Sequence, residues 1–201
     1  MHISSSDIDP ATAYKLLVST IMPRPIAFVT TISKNGVPNA APFSFFNAMG
    51  SNPPVVALGF EPKQDNSTKD TTNNILETGE FVVNIVDELL AHQMNQCAAN
   101  VAPDIDELQL ANIATAPSFE VLPTRILSSP VSMECQLYNH MKLEGGGYIV
   151  VGKVLHFHLS DTVIASLNPL RISIEKLAPI SRLSGVYYGR TNDTFKISRP
   201  D

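Results

Sequence analysis

Charged residues are scarce in this 201-residue chain: they make up 16%, with 14 Lys+Arg against 19 Asp+Glu and a formal net charge of −5. No lysine or arginine run interrupts that acidic balance. Binding to a phosphate backbone depends on basic clusters, so no nucleic-acid partner is expected. Long apolar runs are missing as well. The apolar stretches at 55–60 and 148–151 are strand-sized. A membrane span needs roughly 18 apolar residues, so no membrane partner is expected. Cysteine occurs only twice, as Cys97 and Cys135, far apart and outside any CxxC spacing. That excludes a disulfide framework or a recognisable zinc site and fits two buried thiols in a reduced compartment. Residues 1–10 are polar, without the apolar centre of a secretion signal, so a cytoplasmic location is the expectation. Gly-x-Gly-x-x-Gly, a P-loop and Gly-x-Ser-x-Gly are all absent, which removes three common routes to nucleotide binding and nucleophilic catalysis.

What is present is apolar. Hydrophobic residues make up 44%. That excludes a disordered chain and supplies a core without staples. With so little charge, part of the surface is neutral or covered by a partner subunit. No linker, repeat or low-complexity segment divides the chain, so 1–201 reads as one domain.

The periodicity is mainly that of strands. After Pro23-Arg24-Pro25, residues 26–32 alternate, with Ile26, Phe28, Thr30 and Ile32 on one side and Ala27, Val29 and Thr31 on the other. Lys34-Asn35-Gly36 signals a hairpin. A second strand over about 37–45 is interrupted by Pro38 and Pro42, so it is irregular or lies at an edge. Strands are expected at 55–60, 81–86, 131–143 and 148–159, the last two joined through Glu144-Gly145-Gly146-Gly147. Helices are expected over about 70–77, capped by Asp70 and stopped by Gly79, over 88–98, and from Asp104 or Asp106 to Ala111. Short links make antiparallel pairs. A closed antiparallel barrel with helical insertions follows.

Three segments carry candidate chemistry. Past the proline-broken strand, Ser44-Phe45-Phe46-Asn47 mixes aromatics with small polar groups. There a broken ladder frees backbone groups that the edge of a planar heterocycle can satisfy. An ordinary loop with core phenylalanines is the bland alternative. Ser67, Thr68 and Lys69 stand at a helix N-terminus, where free N–H groups and the dipole favour an anion. A solvated helix start is the alternative. His156 and His158 share one strand face and, with His140, could in principle hold a metal for hydrolysis. No acidic or cysteine ligand accompanies them at a recognised spacing, so no metal is expected.

Taken in order, several segments resemble the flavin reductase-like family with the FMN-binding split barrel, in the branch that includes flavoredoxin. They are Pro23-Arg24-Pro25-Ile26-Ala27-Phe28-Val29-Thr30-Thr31, Asn39-Ala40-Ala41-Pro42-Phe43-Ser44-Phe45-Phe46-Asn47, Pro53-Pro54-Val55-Val56, Lys69-Asp70-Thr71, Gly79-Glu80-Phe81-Val82-Val83-Asn84, Gly152-Lys153-Val154 and Ile180-Ser181-Arg182-Leu183-Ser184-Gly185-Val186-Tyr187-Tyr188. The resemblance implies a mainly β, six-stranded Greek-key split barrel that forms a homodimer, with FMN near the subunit interface. It implies that Ser44, Phe45, Phe46 and Asn47 meet the isoalloxazine edge, that Ser67, Thr68 and Lys69 face the phosphate, and that Arg24 and Asn84 line the pocket. The implied activity is NAD(P)H:flavin reduction with NADH or NADPH as donor and a partner oxygenase or other acceptor downstream. A non-enzymatic FMN electron carrier is the alternative. Since flavin performs the difficult chemistry, no catalytic side chain is expected. Gly146-Gly147-Tyr148 stands where many reductases of the family carry a histidine near the nicotinamide. That departure bears on the donor rather than on the flavin.

Overall fold

The computed structural model describes residues 1–200. Its body is seven strands: β1 (Ala27–Ile32), β2 (Pro38–Phe43), β3 (Phe46–Ser51), β4 (Pro54–Phe60), β5 (Glu80–Ile85), β6 (Val131–Lys142) and β7 (Tyr148–Leu159). All are paired antiparallel in the order β2-β1-β5-β6-β7-β4-β3. Consecutive strands β2 and β3 therefore sit at opposite edges of one sheet. In a flat seven-stranded sheet those edges would lie about 28 Å apart, six spacings of nearly 5 Å. Ser44 and Phe45 alone join them, and from Phe43 to Phe46 the chain reaches at most about 11 Å. The sheet must curl until its edges meet. The amide of Gly59 donates to the carbonyl of Phe45 (2.7 Å) where the chain crosses from one edge to the other. This is a barrel split at one seam.

The expected mainly β antiparallel barrel is thus observed, with seven strands rather than six. The added strand is β3. Its residues are exposed beyond Phe46, so no buried face marks it in the sequence. Pairing with β4, from Phe46 opposite Leu58 to Ser51 opposite Pro54, makes it a strand. The chain leaves β4, forms α2 (Asp70–Thr78, after α1 at Pro10–Thr20) and returns as β5 beside β1. A second excursion between β5 and β6 carries α3 (Ala91–Gln96) and α4 (Glu107–Leu110).

The alternation of β1 sorts two cores. Ala27 and Val29 face the barrel interior with Phe43, Leu58, Phe60, Phe81 and Val150. Ile26 and Phe28 face outward onto Leu90, Met94, Leu108 and Ile126 from the excursion. Both faces are buried, which is why β1 is apolar on both sides. Gly79 stops α2 with φ of +76° as expected, but Asp70 does not cap that helix. Lys69 occupies the cap position, and the Asp70 carboxylate is taken by the ammonium of Lys63 at 2.9 and 3.0 Å. The helix expected over 88–98 begins only at Ala91, because Asp87 uses its carboxylate to hold the amide of Leu90 (3.0 Å) in the preceding turn.

The histidines belong to the fold. Glu134 on β6 is fully buried and accepts from the amides of Phe119 (2.8 Å) and Glu120 (2.6 Å) and from His158 (2.5 Å). These bonds hold its carboxyl below the usual range against the opposing effect of burial, which is the largest single influence. Phe119 closes over the rings of both His156 and His158, while His140 lies apart beside Tyr148. Among the described residues no three His, Cys, Asp or Glu side chains come together as metal ligands. Both cysteines are buried and free, and burial pushes the Cys97 thiol up to about 12 and that of Cys135 higher still, so neither is a nucleophile.

Gly152 sits at a register shift in β7, and a Cβ there would lie 2.3 Å from Cζ of fully buried Phe81. Gly152→Ala is expected to cost about 1–3 kcal/mol through overpacking, read as a lower urea midpoint at unchanged slope. An unchanged midpoint would show that Phe81 can yield.

Candidate functional site

The seam opens onto a groove with three cavities in a row. The largest, about 610 Å³, lies between β2, the 62–71 segment and the 97–101 loop, and includes Asn39, Ala41, Phe43, Gln64, Lys69 and Glu107 in its walls. The second, about 190 Å³, includes Ile26, Pro42, Phe43, Ser44 and Met94. The third, about 460 Å³, includes Glu88, His92, Asn95, Arg182, Tyr188 and Arg190. Pro42, Phe43 and Ala98 border both the first and the second. Asn95, Arg182 and Tyr188 border both the second and the third.

The first cavity exists because β2 is an edge that nothing pairs. The amide of Ala40 points off that edge, and by the two-residue period so do positions 38 and 42. Both are prolines, which have no N–H, and the Ala40 amide is taken by the carboxylate of Glu107 (3.0 Å). The same carboxylate accepts from Asn39 Nδ2 (2.8 Å), whose Oδ1 accepts from Thr71 (2.7 Å) and Thr31 (3.2 Å). This chain of bonds ties β2, α2 and α4 into a rigid floor. Burial pushes the Glu107 carboxyl up from its ordinary value, the bonds from Ala40 and Asn39 opposing.

Lys69 is the unusual group on the wall. It lies partly buried at the start of α2, with its ammonium 5.7 Å from the Phe43 ring centroid. Among the described residues its ammonium has no hydrogen-bonded partner and no carboxylate within salt-bridge reach, whereas neighbouring Lys63 is committed to Asp70. Burial lowers its pKa, partly offset by Glu61. No side chain caps α2, so an unpaired cation and uncapped amides meet at one end of a large cavity.

The other expected site residues divide. Ser44 borders the second cavity, its Oγ accepting from Arg24 Nε (3.3 Å). Arg24 itself is buried, and its remaining donors go to the carbonyls of Val18 (2.6 Å), Ile21 (3.0 Å) and Leu183 (3.0 Å). It is a clasp joining the end of α1, the seam and the C-terminal segment, with four of its five N–H donors committed within the chain. Phe45 lies at the seam near Tyr14 of α1, Phe46 packs on the barrel core, and Asn47 is exposed on β3. Ser67 turns away and bonds Asp65 through both its hydroxyl (2.6 Å) and its amide (2.9 Å). Neither Ser67 nor Thr68 borders the cavities. Asn84 is fully buried in the barrel wall, donating to the Phe28 carbonyl (3.0 Å) and accepting from Ile126 (2.9 Å) and Ser132 (2.8 Å). The structure does not bring it to the groove. Tyr148 packs against the barrel core, also away from the cavities.

Asn39, Thr71 and Glu107 enlarge the site beyond its expected residues. Asn39 and Thr71 stand inside the resembling segments, but nothing local links either to Glu107, 68 residues beyond Asn39. Arg182 and Tyr188 likewise come from the C-terminal tail. A three-stranded ribbon of Arg24–Pro25, Ser181–Arg182 and Tyr188–Gly189 places them.

Known proteins share this fold. The family described as flavin reductase like domain matches residues 18–176. An uncharacterized protein of Halalkalibacterium halodurans is 36% identical over 205 residues, covering 100% of this chain and 97% of that one. The crystal structure of nitrilotriacetate monooxygenase component B from Bacillus cereus superposes with a TM-score of 0.92 at 35% identity, covering 98% of each chain. That of 2-nitrobenzoate 2-nitroreductase from Pseudomonas fluorescens gives 0.90 at 32% identity, covering 100% of this chain and 96% of the other.

Because the Glu107 pKa is raised in the fold, the folded state binds its proton more tightly than the unfolded chain does. This group therefore costs stability as pH rises from the ordinary glutamate value of about 4.5 through the higher folded value. Glu107→Gln, which keeps an acceptor, is expected to remove that decline, so that variant and wild type diverge over this window in urea melts. Parallel pH profiles would show that the Asn39 and Ala40 bonds fully offset burial.

Proposed function

The chain belongs to the flavin reductase-like domain family, and from that premise we propose that it is an FMN-binding oxidoreductase that passes hydride from NADH or NADPH to FMN. The flavin-related oxidoreductase character rests on the family match and on the two close structural relatives. One observation carries the FMN assignment. Lys69 is a partly buried cation without a counter-charge, beside an uncapped helix start, in a cavity of about 610 Å³. That volume lies within the roughly 300–1,000 Å³ of small-molecule sites. A buried unpaired charge is costly to maintain. A phosphate would offset it and accept the free amides.

The residues present fit the rest of the molecule. Lys69 and the first amides of α2 would hold the phosphate. Ala41, Pro42 and Phe43 would flank the rings, and Ser44, held in place by Arg24, would meet their polar edge at the seam. Phe45, Phe46 and Asn47 would contribute through the backbone freed where the ladder breaks. Ser67 and Thr68 would shape the phosphate-side turn, and Asn84 would stiffen the wall behind. Bound flavin supplies the hydride-accepting chemistry, so the protein needs to supply placement rather than an acid–base pair. Lys69, Pro42 and Ser44 come from elements tied together by Glu107 and Arg24, which is how that placement is kept rigid.

The same reading includes a homodimer. Tyr14, Leu17, Ile21 and Met22 on or just past α1, and Met49 on β3, are exposed apolar groups around the seam, and a second copy covering them would close the groove. A partner oxygenase or another small electron acceptor would take the reduced flavin. The two buried free thiols suit a reduced, cytoplasmic setting. A non-enzymatic FMN carrier is the second reading, favoured by Tyr148 standing at the glycine turn and away from the groove.

Lys69→Met is expected to weaken FMN binding by about 10- to 100-fold, the worth of one hydrogen bond to a charged group. Hydride transfer in flavin-saturated protein should change little. The reverse pattern in fluorescence titration and stopped-flow bleaching would overturn the phosphate assignment. Because burial lowers the Lys69 pKa, wild-type FMN affinity should fall as pH rises through that lowered value, earlier than for an ordinary lysine. Lys69→Arg should hold its affinity across the same window.

A further inference from the structure

The flavin placement proposed above leaves the third cavity free, and that cavity adjoins the chamber that contains Ser44. Its charge is unlike that of the chain. Arg182 and Arg190 face one carboxylate, Glu88, in a protein whose formal net charge is −5. Arg190 and Glu88 form an ion pair with each other on the exposed rim. Arg182 is different. Its guanidinium lies 4.6 Å from the Tyr188 ring centroid, and among the described residues only the Gly185 carbonyl, at 2.5 Å, accepts from it. Nε and Nη1 have no acceptor. Tyr188 is in turn fixed by its hydroxyl, which donates to Asn95 Oδ1 (3.3 Å). The pair forms the partition between the second and third cavities, and it is anchored through the Leu183 carbonyl to the Arg24 clasp.

We infer that this outer chamber, gated by Arg182 and Tyr188, is the binding site for the phosphate-bearing part of a nicotinamide dinucleotide, whose pyridine ring reaches past the partition toward Ser44. The inference rests on the flavin reading for the identity of the second substrate. It rests on the chamber itself for the chemistry: a guanidinium with unused donors matches a phosphate. An aromatic face beside it suits a planar base. A chamber of about 460 Å³ beyond the arginine exceeds what a simple aromatic acid would need. An aromatic acid could still use Arg182, and the test separates the two.

The test uses the full-length protein with and without added FMN. FMN affinity is measured by fluorescence, and binding of NADP⁺, NAD⁺ and benzoate by calorimetry. Arg182→Gln is expected to weaken dinucleotide binding at least tenfold and to raise the KM for the reduced dinucleotide similarly. FMN affinity should stay within twofold. Tyr188→Leu should weaken the dinucleotide less, and Tyr188→Phe should restore it, which separates the stacking surface from a merely structural role. Dinucleotide binding that is absent, or indifferent to Arg182 in correctly folded variants, overturns the proposal. So does binding of benzoate alone that depends on Arg182, because it replaces the dinucleotide by an aromatic acid. Failure of the underlying flavin reading would show separately, as loss of FMN binding in the wild type while the Arg182-dependent calorimetric signal persists.

Discussion

Ser44 and Phe45 have to carry the chain from one edge of the sheet to the other, and the geometry of the molecule follows from that short reach. The sheet closes only if β2 and β3 meet, yet the strands never pair along their length, because the free edge of β2 has no N–H at Pro38 and Pro42 and its Ala40 amide is taken by Glu107. A barrel with one unpaired seam results. At a seam, backbone groups have no ladder to join. The edge of β2 is managed by two prolines and by one carboxylate from an element far away in sequence, rather than by another strand. The groove is therefore a consequence of how the barrel closes and does not require a separate binding module.

Within that groove the cations divide by what they are bonded to. Arg24 is engaged through all three of its guanidinium nitrogens by carbonyls and a hydroxyl, Lys63 is bound to Asp70, and Arg190 to Glu88. Lys69, on the first cavity, has no acceptor or carboxylate for its ammonium, and Arg182, on the partition between the second and third, has Nε and Nη1 without an acceptor. An exposed pair such as Arg190 with Glu88 contributes little and can rearrange. A desolvated, unpaired lysine cannot be explained as a stabilising feature, since burial disfavours its charged form. An anion beside it would offset that cost.

The strands with a buried face were legible. The apolar alternation of β1 predicted both of its environments, and the glycine turn predicted the long β6–β7 hairpin. β3 was not legible, because an exposed strand of Asn, Ala, Met, Gly and Ser carries no period, and its pairing is a tertiary fact. Lys69 was recognised as a helix-start cation. Which of its neighbours would face inward was not readable, since Ser67 could bond either a ligand or Asp65 and local geometry chose Asp65. Asn84 looked like a pocket residue by resemblance and proved to be a pin in the wall. Glu134 could not be connected to His158 in advance, because 24 residues and a strand register separate them. Arg182 and Tyr188 stood inside a resembling segment, but their place on the groove was hidden for the same reason, since it comes from a ribbon completed by Arg24 and Pro25.

Arg24 also links the two halves of the groove. One guanidinium bonds the Ser44 hydroxyl on the seam and the Leu183 carbonyl, one residue from Arg182. The wall of the outer chamber and the polar group at the seam are thus positioned by a single planar fork, which allows little independent movement. A ligand that pulled Arg182 outward would strain the bond to Ser44, and a ligand that ordered Ser44 would steady the partition. Two substrates that must meet with their reacting atoms close together benefit from this arrangement, because a shared anchor fixes the distance between their sites. The buried arginine, read as a pocket cation by resemblance, lies one step back from the cavities and fixes the spacing of their walls.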